Sequence, residues 1–119
     1  MIEPINLAEK LARFDERWRP KVVAELNGQH VKLVKIQGDF PLHHHEHEDE
    51  LFMVIAGRME MRFRDRSVLV EPGELIVIPR GVEHAPYAEE ETQILLFEPN
   101  TTVNTGNVQS ERTAPIEWV

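Results

Sequence analysis

From Lys21 onward the chain is a series of short runs of alternating apolar and polar residues, cut by turn-forming residues at spacings of roughly 8–12. That pattern fits an antiparallel sandwich or barrel rather than alternating β and α units. "RMEMRFR" (58–64) is the plainest case: Met59, Met61 and Phe63 alternate with Arg58, Glu60, Arg62 and Arg64, so one face is apolar and the other meets water. "KVVAEL" and "QHVKLVKIQ" flank Asn27-Gly28, whose tolerance of positive φ predicts a hairpin turn. In the second of these strands the alternation slips, because Val34 follows Leu33 directly, which predicts a bulge or burial on both faces. "SVLV", "ELIVIP" and "TQILLFEP" complete a set of about eight to ten strands.

One segment reads as helix. "NLAEKLARFDERW" places Leu7, Leu11, Phe14 and Trp18 on a helical stripe, Asn6 and Glu9 have capping-box spacing, and Pro20 ends it. The polar tail from Asn100 is expected to wrap the barrel and dock Ile116 and Trp118 on something apolar, with a frayed end as the alternative. Three parts follow within one domain of residues 1–119: a helical arm (1–20), a barrel (21–99) and a wrapping tail (100–119).

Composition removes several function classes. No cysteine is present, so disulfides, thiolate metal sites and cysteine nucleophiles are excluded, and any metal must be held by nitrogen and oxygen. A net charge of −8 disfavours nucleic acid and anionic membranes as partners. The N-terminus lacks the zones of a signal peptide and no apolar stretch approaches membrane-spanning length, so the expected address is the cytoplasm.

The chemistry concentrates in "FPLHHHEHEDELFMVIAG" (40–57). Side chains two apart in a strand share a face, so His43 and His45 can converge while His44 points away. A tight connection through "EHED" brings Glu50 back beside them at the head of an apolar strand, where a lone carboxylate is costly unless paired or metal-bound. Two imidazoles and a carboxylate suit Fe(II), Mn, Ni or Zn. His84, just past the Pro79-Arg80-Gly81 turn, is a further candidate whose position barrel closure decides. His47 shares the ligands' parity but falls in the connection, and His30 reads as an ordinary strand residue. Glu89, Glu90 and Glu91 read as a solvated loop tip, whereas Phe52, Val54, Met59, Met61 and Phe63 read as barrel lining.

These residues resemble the cupin superfamily, in particular its small single-domain microbial members. Its first motif, G-x5-H-x-H-x(3,4)-E-x6-G, is matched by His43, His45, Glu50 and Gly57; its second, G-x5-P-x-G-x2-H-x3-N, by Gly73, Pro79, Gly81 and His84. Two departures stand out: Gly38 is one residue closer to His43 than the motif asks, and Ala88 replaces the motif's Asn. The resemblance covers about residues 21–99. It implies an all-β double-stranded β-helix (a jelly-roll barrel) with a short N-terminal helix, in which His43, His45, Glu50 and His84 hold one divalent metal ion (Fe, Mn, Ni or Zn).

Such a site permits several activities. The leading expectation is a metal-dependent enzyme of dioxygenase or isomerase type acting on a small organic molecule. Its catalytic residues beyond the ligands are not readable, although His47 or Tyr87 could serve as acid or base if either lies near the mouth. The alternative is a non-catalytic module for a small sugar-like or carboxylate ligand. A purely structural metal fits less well, because structural sites fill every position with protein ligands. A homodimer through the N-terminal strands and helix is expected, because Trp18 and the sheet edge need cover.

Overall fold

The computed structural model describes residues 2–119. Eight strands follow one helical turn: α1 Leu7–Leu11, β1 Lys21–Leu26, β2 Gln29–Gly38, β3 Glu50–Ala56, β4 Met59–Arg62, β5 Ser67–Val70, β6 Leu75–Ile78, β7 Ala85–Pro99 and β8 Glu117–Trp118. The order β5-β4-β7-β2-β1-β8, with β3 pairing both β6 and β7, closes them into a jelly-roll barrel. Long β7 is the shared wall. Its C-terminal half lies between β2 and β3 (Leu33↔Leu95, Leu51↔Phe97), and its N-terminal end pairs with β4 (Glu60↔Tyr87).

Alternation decides which residues fill the barrel. Val34, Ile36, Phe52, Val54, Met59, Met61, Ile94 and Leu96 form the interior cluster, with Phe63 packed at its margin, as the pattern predicts. β2 is buried on both faces from Lys32 to Ile36, because a second cluster, Leu11, Phe14, Val23 and Leu33, covers its outer side. The Asn27-Gly28 hairpin forms with both residues at positive φ. The motif glycine Gly57 (φ 91°) is needed sterically as well, since a Cβ there would sit 2.4 Å from Thr92 Oγ1.

Four expectations are corrected. The helix is one turn, Leu7–Leu11, capped by Asn6 Oδ1 accepting from Glu9 N–H, and does not reach Trp18. Phe14 belongs to the outer cluster and Trp18 to the barrel interior, and no single helical stripe can serve both. Glu89–Glu91 are exposed, as expected, but lie within β7 where its pairing with β2 shifts register, not in a loop. Ile116 and Trp118 stay more than half exposed; Val119 is the tail residue that packs on the outer cluster. Lastly, Trp18 is buried within the chain and so needs no dimer to cover it, while β8 covers Lys21 and Val22 of the β1 edge and leaves the rest of that edge unpaired among the described residues. Among the described residues no helix is long and apolar enough to cross a membrane.

Candidate metal centre

His43 and His45 sit in irregular extended chain rather than a strand; His43 and His84 form an isolated antiparallel bridge, with His43 N–H donating to His84 O (3.0 Å) and His84 N–H to His43 O (2.8 Å). This bridge joins the two motifs directly. The motif turn at Pro79–Gly81 adds further ties: Gly81 N–H donates to His45 O at 2.7 Å, while Arg80 pairs with Asp49 through backbone N–H (2.9 Å) and guanidinium (3.2 Å). The loop of residues 46–49 is thereby held and returns Glu50 to the head of β3.

The four residues singled out in the sequence, His43, His45, Glu50 and His84, are all buried and offer ligand atoms within 4.8 Å of one another. They form a group that could hold a metal ion. Ring orientation favours one. His43 Nδ1 bonds Pro41 O (2.8 Å) and His84 Nδ1 bonds Val82 O (2.9 Å), each reaching the carbonyl two residues back. A carbonyl only accepts, so both Nδ1 atoms carry protons, and each Nε2 bears a lone pair whenever its ring is neutral. His84 Nε2 stands 3.1 Å from Glu50 Oε1, and His45 Nε2 3.2 Å from the same oxygen. Lone pair facing lone pair is repulsive, so each approach calls for a proton or a cation between. His45 Nε2 reaches ion-pair distance without hydrogen-bond geometry and is otherwise an unpartnered buried atom. One divalent cation would satisfy all four groups together, and the nitrogen and oxygen donor set fits it.

Electrostatics agrees in direction. Burial first, then the charge of His84, pushes the His43 ring down from 6.5 to about 4, so it is neutral and able to act as a ligand at ordinary pH. For Glu50 burial alone would raise the carboxyl, but the His45 and His84 rings held against it outweigh burial and keep the group below the usual carboxylate range.

Sequence reading missed the layer behind Glu50. Leu51 pairs with Phe97, which sets Glu50 beside Glu98 across β3 and β7. Glu98 is 1% exposed and accepts from Lys32 Nζ at 2.8 Å, itself 3% exposed, while its other oxygen has no donor. Burial, and next the charge of Glu50, push the Glu98 carboxyl up, with Lys32 opposing. The register of β2 against β7 puts Lys32 and Glu98 on one face, and alternation within each strand alone could not show that this face is the barrel interior. The tail contributes as well: Asn107 accepts from His44 N–H through its side chain (2.9 Å) and donates from its backbone to His44 O (3.1 Å). Beside it, Gly106 passes so close that a Cβ would lie 2.2 Å from His44 O.

A cavity of about 30 Å³ adjoins the site, lined by His43 and Glu50 and by the apolar side chains of Trp18, Phe40, Phe52 and Leu96, with Asn104 as a polar group from the tail. Neither of the acid–base candidates lines it. His47 is 86% exposed in its side chain and turns to Glu46, and Tyr87 lies under Arg62, 3.8 Å from ring centre to guanidinium. His44 is half-buried against the tail, and His30 lies beside Glu25, 3.4 Å away. Ala88, where the motif has Asn, is buried in the apolar cluster.

A double-stranded β-helix carrying three imidazoles and a carboxylate at its interior defines a class of small barrel proteins. Residues 30–106 match the cupin domain family, and the chain belongs to it. Among solved structures it is similar to a cupin-2 domain containing protein from Shewanella frigidimarina NCIMB 400 (44% identity, TM-score 0.80, 81% of this chain and 94% of that one). It is also similar to protein NMB1881 from Neisseria meningitidis (33% identity, TM-score 0.75, 82% and 100%). The Bacillus subtilis (strain 168) protein YdbB is 33% identical over 80 residues, which is 66% of this chain; the match spans only 65% of that relative's length.

Proposed function

We propose that His43, His45, Glu50 and His84 bind one divalent metal ion, Fe, Mn, Ni or Zn, and that the protein is a metal-dependent enzyme of oxygenase type acting on a small organic molecule. The observation that carries this reading is the meeting of four buried ligand atoms within 4.8 Å, two imidazole nitrogens facing one carboxylate oxygen. A bound ion would supply Lewis acidity or a site for dioxygen. His43 and His84 keep their Nδ1 protons on backbone carbonyls and so present Nε2 in a fixed direction. Apolar walls line the cavity side of Glu50 and His43.

The isomerase variant of this reading needs a side chain that moves a proton, which His44, Glu46 or Glu48, lining the space beside His45, would have to supply. Oxygenase chemistry makes no such demand on the protein. The second reading is a non-catalytic module for a small sugar-like or carboxylate ligand, for which the space of about 310 Å³ beside His45 offers room. Dioxygen consumption by metal-loaded protein with candidate compounds, run beside thermal shifts with the same compounds, separates the readings. Turnover supports the enzyme, and saturable stabilisation without turnover supports the binder.

The reading includes a cytoplasmic location. It also includes a homodimer, formed through the outer face of β3 and β6 instead of the N-terminal elements. Leu75 (56% exposed) and Val77 (53%) stand there next to Met53 and Leu51, their cross-strand partners. Light scattering should give twice the chain mass of 13.8 kDa, and Val77→Glu should halve it. A wild-type monomer would remove this part of the reading.

A further inference from the structure

Among the described residues of the N-terminal arm, Trp18 is the one large side chain sent into the barrel interior, and its backbone is strained to do so. Its φ is 64°, a region that bulky residues rarely occupy and that persists only when the surroundings over-determine it. The surroundings do so from several directions. Trp18 N–H donates to Lys35 O at 2.8 Å, and the indole Nε1–H to Gln37 O at 2.8 Å. The ring is stacked on Phe40 (4.8 Å between centroids) and carries the Arg112 guanidinium 5.1 Å from its centre. Arg112 in turn is anchored by its Nε–H to Asp39 O (3.1 Å), and its own carbonyl accepts from the Asn104 side chain (2.7 Å). Phe40 and Arg112 are both half-buried, whereas Trp18 beneath them is 6% exposed and lines the cavity that touches His43 and Glu50.

The arm, the chain leading into the histidines and the tail therefore meet on one indole ring, which fills the barrel beside Phe40 and lines the cavity with it. We infer that Trp18 is the specificity-determining plug of the metal centre, limiting what reaches its cavity side to molecules of a few heavy atoms, such as dioxygen, azide or formate. The remaining space of about 30 Å³ holds about two water molecules. An indole ring accounts for some 150–250 Å² of buried surface, so its removal opens room for an aromatic ligand. This inference rests on the proposed metal site for the identity of what is being approached, but not for the plug itself.

Trp18→Gly relieves the positive φ and deletes the ring, and two readouts test it. In metal-free protein, indole should raise the melting temperature of Trp18→Gly saturably and leave wild type unchanged; a folded variant indifferent to indole overturns the plug. In Co(II)-loaded protein, azide should alter the visible spectrum of both proteins. Benzoate should bind Trp18→Gly at least about tenfold more tightly than wild type, and indole should restore its exclusion. Equal benzoate affinity for the two proteins overturns the size limit. Failure of either protein to take up cobalt counts against the proposed metal site, and the metal-free arm then decides the plug alone. If Trp18→Gly does not fold, Trp18→Phe replaces it and should bind benzoate at least about threefold more tightly than wild type, an unchanged affinity again overturning the size limit.

Discussion

Among single residues, His43 ties acid stability to the site. Its ring is held at about 4, below the ordinary 6.5, by burial and then by His84. A depressed pKa means that the unfolded chain binds more protons between those values, so this stabilisation is complete above 6.5 and is lost as pH falls toward 4. Taken alone, this group would cost metal-free protein roughly 3 kcal/mol across that window, read by urea denaturation. Glu98 acts in the opposite sense, because its raised carboxyl contributes stability at low pH and withdraws it as pH climbs past 4.5. The observed slope should therefore be shallower than His43 alone would give, and a profile flat from 6.5 to 4 would contradict the assignment. Lys32 and Glu98 allow a second check. Glu98→Leu leaves a buried ammonium unpaired and should cost about 3–5 kcal/mol, whereas Lys32→Met with Glu98→Leu should recover most of that loss in the same melts. These couplings were not legible in the sequence: parity shows which residues share a face but not which face is interior, nor that two carboxyls meet across β3 and β7.

For elements, legibility followed the strength of the local signal. The Asn27-Gly28 hairpin and the β4 strand formed as the pattern predicts, because turn chemistry and period-two burial are both local. The helix was over-read, since Phe14 and Trp18 fit a helical stripe yet fill two clusters on opposite sides of the sheet. Glu89–Glu91 were read rightly as solvated and wrongly as a loop; a register shift lets a continuous strand carry three outward charges. The motif glycine at 57 has a physical basis in its closeness to Thr92. Gly57→Ala should destabilise the fold by about 2–3 kcal/mol in thermal or urea melts, by forcing a Cβ onto Thr92 at positive φ. An unchanged midpoint would mean that β3 and β7 can part there without loss.

For the whole molecule, barrel closure does what spacing alone could not. His84 lies 34 residues from Glu50 yet meets it at 3.1 Å, because β6 pairs with β3 and the turn after β6 is stitched to the histidine loop. The sequence named these four residues, two of the intervals between them being set by motif. It gave no sign that the N-terminal arm and the tail would both converge on the same end of the barrel, since Trp18, Arg112 and Asn107 each act through long-range packing. The central claim is that the four residues hold one ion. Elemental analysis of protein purified without chelator, wild type beside His45→Ala, tests it most directly. Wild type should carry close to one equivalent of a single divalent transition metal, and the variant at least about tenfold less. Wild type without such a metal, or a variant that retains it in full, would contradict the account.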